Sequence, residues 1–157
     1  MNERTSRYLI DEWQARKIRY CEFLSDLFIK EKMTPIEEIM LASIHLNLNL
    51  SQSKDRHYTW KIEIQKPIGK YRTDFFITFI PRPKKSHWKE FSVVVECDGH
   101  NFHEKTKEQS IRDKKRDRDI QSLGYKVFRF TGSEIYENPN KCAWEIMDLV
   151  YKYQKKV

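Results

Sequence analysis

Asp74, Glu96 and Asp98, with His100 and His103 close behind, are the residues of this chain whose types and spacing could do chemistry. Asp74 lies in YRTDFFITFI and the other two acids in FSVVVECD, two apolar runs of strand length separated by PRPKKSHWK. A hairpin centred on Lys85 sets Asp74 opposite Glu96, Phe76 opposite Val94 and Thr78 opposite Ser92. Directly opposed residues have Cβ atoms about 4.5–5.5 Å apart. Asp98 then projects from the same face as Glu96, whereas a register shifted by one separates the acids. Two unit charges about 4 Å apart repel by about 4 kcal/mol at an effective dielectric of roughly 20. A shared proton, a nearby Lys or Arg, or a hard divalent cation must offset that repulsion. Mg2+ suits such a place, because it takes one or two carboxylates and completes its shell with waters and substrate phosphate. An ion held there polarises phosphate and activates water. His100 and His103 titrate near neutral pH and suit proton transfer.

The remaining elements must position these groups. Leu9, Trp13, Tyr20, Phe23, Leu24, Leu27 and Phe28 recur near helical spacing, which predicts an amphipathic helix from about Ser6 to Lys30. Thr34 as N-cap and Pro35 at the first helical position open a second helix, to about Asn47. From Tyr58 the period becomes two, and three strands follow, the second being YRTDFFITFI after a turn around Pro67-Ile68-Gly69. A charged helix over about Lys105–Leu123, a fourth strand YKVFRF, a short turn between Thr131 and Pro139, and a last helix complete the chain. The predicted order is ααβββαβα: an α/β domain with a mixed four-stranded sheet flanked by helices, its first three strands antiparallel neighbours. Residues 1–33 are expected to form an N-terminal amphipathic helix and residues 34–157 the α/β domain, one compact domain in all.

Composition narrows the class. The 157 residues carry a net charge of +7, 34% charged side chains and 13% aromatics. No stretch is long and apolar enough to span a membrane, and the aromatic content argues against disorder. MNERTSRY lacks the apolar core of a secretory signal and three cysteines form no paired framework, so a cytoplasmic setting is expected. The positive charge favours a polyanionic partner. Arg82, Lys84, Lys85 and Lys89 at the hairpin tip, with Lys105 and Lys107 after the site, are candidate phosphate contacts, which give affinity without sequence selectivity.

Other side chains could support the acids. Glu37 shares a stripe with Leu41, Ile44 and Leu48, so it either joins the site or caps its own helix. Asp113 and Asp117 share a stripe with Ile120, with Arg116 beside it. They either orient a site histidine or a basic residue such as Arg129, or form intrahelical pairs with their Lys and Arg neighbours. Zinc on Cys97, His100, His103 and Cys142 is the competing metal reading, but alternation turns Cys97 to the other sheet face and no CxxC pair exists.

The string YRTDFF…VVVECDGHNFH…RDKKRDRDIQSLGYKVFRFTGSEI resembles the PD-(D/E)XK superfamily of restriction-endonuclease-like nucleases. Its nearest likeness is to the branch related to very-short-patch repair endonucleases, which includes many small bacterial proteins. The resemblance runs from about Thr34 to Ile135. It implies Asp74 as the motif Asp, Glu96 as its acid, Glu37 as the helix acid, and Gln65 as the Gln of the preceding strand. Asp98 stands where the superfamily usually carries Lys; it cannot supply positive charge, though it can bind metal or accept a proton. The resemblance further implies Asp74 and Glu96 as ligands of Mg2+, with Mn2+ a possible substitute. Asp113, Arg116 and Asp117 become supporting residues. The expected function is metal-dependent hydrolysis of phosphodiester bonds, of DNA before RNA. A nucleic-acid-binding scaffold inactivated at Asp98 is the alternative.

Overall fold

The computed structural model describes residues 21–50, 58–81, 89–99 and 106–155, and the elements and contacts below are those of these residues. The chain divides into two units, Met1–Met33 and Thr34–Val157. In the first, residues 21–31 are helical (α1). Lys32 adopts φ 52°, and the N–H groups of Lys32 and Met33 return to the carbonyls of Ile29 and Phe28 at 3.4 and 3.3 Å. This left-handed closure ends the helix as a Schellman motif, a place usually held by Gly. Residues 6–20 of the expected helix lie outside the described residues.

The second unit contains α2 (Pro35–Leu50), β1 (Tyr58–Ile64), β2 (Pro67–Ile68), β3 (Tyr71–Arg72), β4 (Phe75–Pro81) and β5 (Phe91–Asp98). After these come α3 (Lys107–Ser122), β6 (Lys126–Thr131), α4 (Gly132–Glu137) and α5 (Pro139–Lys155). The main sheet has the order β1-β4-β5-β6. Its first three strands are antiparallel, and β6 joins β5 in parallel after the α3 crossover, as the predicted α/β topology requires. Phe76 pairs with Val94 and Thr78 with Ser92, which is the convergent register.

Two apolar faces follow from the pleat. Phe76 and Val94 pack with Ile120 of α3 and with Ile68 in one buried cluster, edged by Tyr71, Tyr125 and Val127. Phe75, Ile77, Phe79, Val93 and Val95 point to the other face and are fully buried, as are or nearly are Met40, Leu41 and Ile44 of α2 and Ile146, Met147 and Val150 of α5. Helices therefore cover both faces, and the acids of β5 belong to the face that α3 covers.

Two expectations need correction. The run YRTDFFITFI is not one strand: β3 ends at Arg72 and β4 begins at Phe75. The cause lies on the partner side, where Gln65 takes φ 52°. That left-handed residue kinks the hairpin, which the bonds Gln65 N–H to Asp74 O (2.9 Å) and Thr73 N–H to Lys66 O (3.0 Å) hold together across the bend. Beyond it, Gly69 at φ 58° opens a two-residue turn of the kind that suits strand twist. The segment between Thr131 and Asn138 is also not a turn but the short helix α4. Thr131 and Glu134 form a reciprocal capping box at its start.

Ile120 is fully buried at the centre of the α3-side cluster, whereas Ile111 of the same helix is 57% exposed. Ile120→Ala is expected to cost about 2–5 kcal/mol in urea unfolding, and Ile111→Ala about 0.5 kcal/mol or less. Equal losses at the two positions would contradict this docking of α3.

Candidate active site

The bend that splits the hairpin creates the site. The β4–β5 ladder stops at Phe75 and Val95. The next N–H on β5, that of Cys97, donates instead to the Asp74 side chain, reaching Oδ2 at 2.7 Å. Asp74 is thus fixed beside Glu96 without being a ladder residue, its own carbonyl being occupied by Gln65 N–H. Gln65 turns with the bend and donates from Nε2 to Glu37 Oε1 at 3.3 Å. Glu37 resolves its two sequence readings by doing both. Its Oε2 accepts from Thr34 N and Oγ1 at 2.6 and 2.7 Å, capping α2, while its carboxyl lies near enough to Asp74 to raise that acid's pKa. Four expected residues, Glu37, Gln65, Asp74 and Glu96, therefore converge.

Glu96 is 3% exposed. Its Oε1 accepts from Arg116 Nη2 at 2.7 Å, and the same nitrogen donates to the Arg72 carbonyl at 2.5 Å. Arg116 so links α3, the β2–β3 hairpin and the site acid. A second contact, Tyr71 Oη donating to Asp119 Oδ2 at 2.6 Å, ties the same hairpin to α3. Asp98 follows Glu96 on the same face and accepts on Oδ1 from Arg129 Nη1 at 2.9 Å. Arg129 Nη2 donates to Asp117 Oδ1 at 2.8 Å. Asp117 thus orients Arg129, one of the two arrangements its stripe allowed. Asp113 is half-buried on the same helix.

The electrostatics follow from that crowding. Burial, chiefly, raises Asp74 from 3.8 to about 6; its bond from Cys97 N–H opposes this, and the nearby Glu37 adds to it. Burial and then the charge of Asp74 push Glu96 from 4.5 up to about 8, although Arg116 pulls the other way. The guanidinia of Arg116 and Arg129 therefore compensate only part of the negative charge. The Cys97 thiol is pushed well above its ordinary range by burial and by the surrounding acids, so it stays neutral. Among the described residues no three or more His, Cys, Asp or Glu side chains are gathered as a ready metal cluster; His100 and His103 of the zinc reading lie outside them. An Asp74–Glu96 pair still fits a hard cation that draws its other ligands from water and substrate.

Not every expected residue joins this group. Lys89 is exposed before the start of β5, roughly 20 Å from Glu96 by strand rise. Lys107 is exposed in the first turn of α3. His100, His103, Lys105, Arg82, Lys84 and Lys85 lie outside the described residues. What the sequence did not reveal was the pairing of each β5 acid with its own arginine. The signal was present only in part: Arg116 lies one turn before Ile120, and Arg129 alternates with Val127 on β6.

A mixed four-stranded sheet with helices on both faces, and acids gathered where β4 begins and β5 ends, is a restriction-endonuclease-like domain. A restriction-endonuclease-like family, REase_MTES_1575, matches residues 51–150, and the chain belongs to that family. The matched span includes Asp74, Glu96, Asp98, Arg116, Asp117 and Arg129, and Glu37 precedes it. At the level of the family, membership implies a nuclease-type hydrolase that binds nucleic acid. No curated protein matches, and no solved structure does.

A carboxyl whose folded pKa lies above its unfolded value stabilises the fold while protonated, and that contribution is lost as pH rises through the folded value. For Asp74 and Glu96 the window runs from 3.8 and 4.5 to about 6 and about 8. In EDTA, wild-type melting temperature is expected to fall relative to Glu96→Gln as pH rises from 5 to 8. Parallel melting curves for the two proteins across that range would contradict the assignment.

Proposed function

We propose that this chain is a divalent-metal-dependent endonuclease that hydrolyses phosphodiester bonds, of DNA before RNA, in the cytoplasm. The observation that carries the reading is the pairing of half-buried Asp74 with buried Glu96, only partly compensated by Arg116, in a chain of net charge +7. Asp74 and Glu96 would hold Mg2+, with Mn2+ as a substitute; both offer hard oxygen donors, and their mutual repulsion is what a cation would relieve. Such an ion, when bound, polarises the scissile phosphate and makes water a competent nucleophile at neutral pH.

The protein's own part is positioning. Cys97 N–H fixes the Asp74 carboxyl, Gln65 steadies the neighbouring Glu37, and Arg116 orients Glu96. His100 and His103, which follow β5 directly, are proposed to exchange protons with the reacting oxygens. Lys105 and Lys107 are proposed to contact the backbone of the bound nucleic acid. A relationship to very-short-patch repair endonucleases remains part of this proposal, on the motif order alone.

The test is cleavage of plasmid, single-stranded DNA and RNA with Mg2+, Mn2+ or EDTA. Metal-dependent cleavage is expected, reduced about 10²–10³-fold or more by Asp74→Asn or Glu96→Gln. Gln65→Ala, which removes a supporting bond, is expected to cost about 10–100-fold. Binding without cleavage under every condition would contradict the enzymatic reading and leave a nucleic-acid-binding scaffold.

A further inference from the structure

A phosphodiester under attack gathers negative charge on its oxygens, and a site made of carboxylates needs fixed positive charge aimed at them. Alternation along β5 supplies none, since the site-facing residues at its end are Glu96 and Asp98. The cations bonded to those acids come from neighbouring elements, Arg116 from α3 and Arg129 from β6. The two are not equivalent. Arg116 uses Nη2 for both of its bonds, to Glu96 and to the Arg72 carbonyl, and so acts as a tether between hairpin and acid. Arg129 is the direct partner of Glu96 in the parallel β5–β6 register, which carries it to the same sheet face. Asp98 holds its Nη1 and Asp117 its Nη2, so two elements fix the plane of the guanidinium. A guanidinium has five N–H donors, these bonds leave donors over, and the side chain is 20% exposed.

We propose that Arg129 is the phosphate-facing cation of this site, aimed by Asp98 and Asp117 so that the remaining N–H groups of its two Nη nitrogens meet a non-bridging oxygen of the bound nucleic acid. Asp98 is then the anchor of a cation, and the positive charge that β5 lacks is delivered from the adjoining strand. The proposal rests on the nuclease reading. It needs the rigid fork of Arg, because a Lys at the same position could not bond both acids and the phosphate in one plane.

Fluorescence anisotropy of labelled duplex DNA, single-stranded DNA and RNA, with the full chain in Ca2+ over a series of salt concentrations, tests this. Arg129→Ala is expected to weaken binding about 10-fold and to lower the slope of log affinity against log salt by about one phosphate contact. Arg129→Lys is expected to keep the slope. With Mg2+, Arg129→Ala should cleave about 10²–10³-fold more slowly than wild type, and added guanidinium should restore part of the rate. Arg129→Gln, uncharged yet able to donate to Asp98, carries the same readings if Arg129→Ala does not fold. A wild-type salt slope in the uncharged variants, with no rescue by guanidinium, would overturn the proposal while leaving the nuclease reading intact. Failure of the wild-type protein to bind any of the three probes would overturn the nuclease reading itself.

Discussion

The repulsion between two carboxyls, half-buried Asp74 and buried Glu96, is the constraint around which the rest of the site is arranged. Each is raised well above the ordinary carboxylate range, Glu96 to about 8. A protein keeps such a pair only if something gains from it, because replacing either acid by a neutral residue would relieve the folded state. The surrounding contacts moderate the repulsion without removing it. Cys97 N–H stabilises one carboxylate, Arg116 the other, and Glu37 works against Asp74 by adding a third acid. The balance is a site that accepts one more positive charge, as a proton at low pH or as a divalent ion.

Backbone geometry makes that arrangement possible. A regular β4 would have paired Asp74 in the ladder and left its carboxyl wherever the pleat sent it. The left-handed turn at Gln65 breaks the ladder two residues early and frees the Asp74 side chain to take the place of a ladder acceptor for Cys97. A non-Gly residue at φ 52° costs about 1 kcal/mol or more, and here the strain sits beside the candidate site. Arg116 and Tyr71 then fasten the bent hairpin to α3, so the carboxyl pair is held by the sheet, the hairpin and the helix together.

Much of the fold was legible because the apolar runs are unambiguous. A hairpin of FFITF and SVVVE centred on Lys85 gave the register that set Asp74 beside Glu96, against the one-residue shift that would have separated them. Thr34 and Pro35 marked the start of α2 and placed Glu37 on its inward stripe. The kink was not legible, since Gln65 is neither Gly nor Asn and nothing local announces a positive φ. The α4 helix was missed for the opposite reason. Thr131-Gly132-Ser133 reads as a turn, whereas Thr131 and Glu134 form a capping box that opens a helix. The Arg129 pairing depends on the parallel register of β5 and β6, which tertiary packing sets and spacing along the chain does not.

If the carboxyl pair is poised for a divalent ion, binding that ion must displace the proton Glu96 holds near neutral pH. Isothermal titration of the full chain with Mg2+ at pH 7, in buffers of different ionisation enthalpy, measures affinity and proton release together. The account predicts binding accompanied by net proton release, with both lost in Asp74→Asn and in Glu96→Gln. Binding with no proton release, at an affinity that these two substitutions leave unchanged, would contradict it.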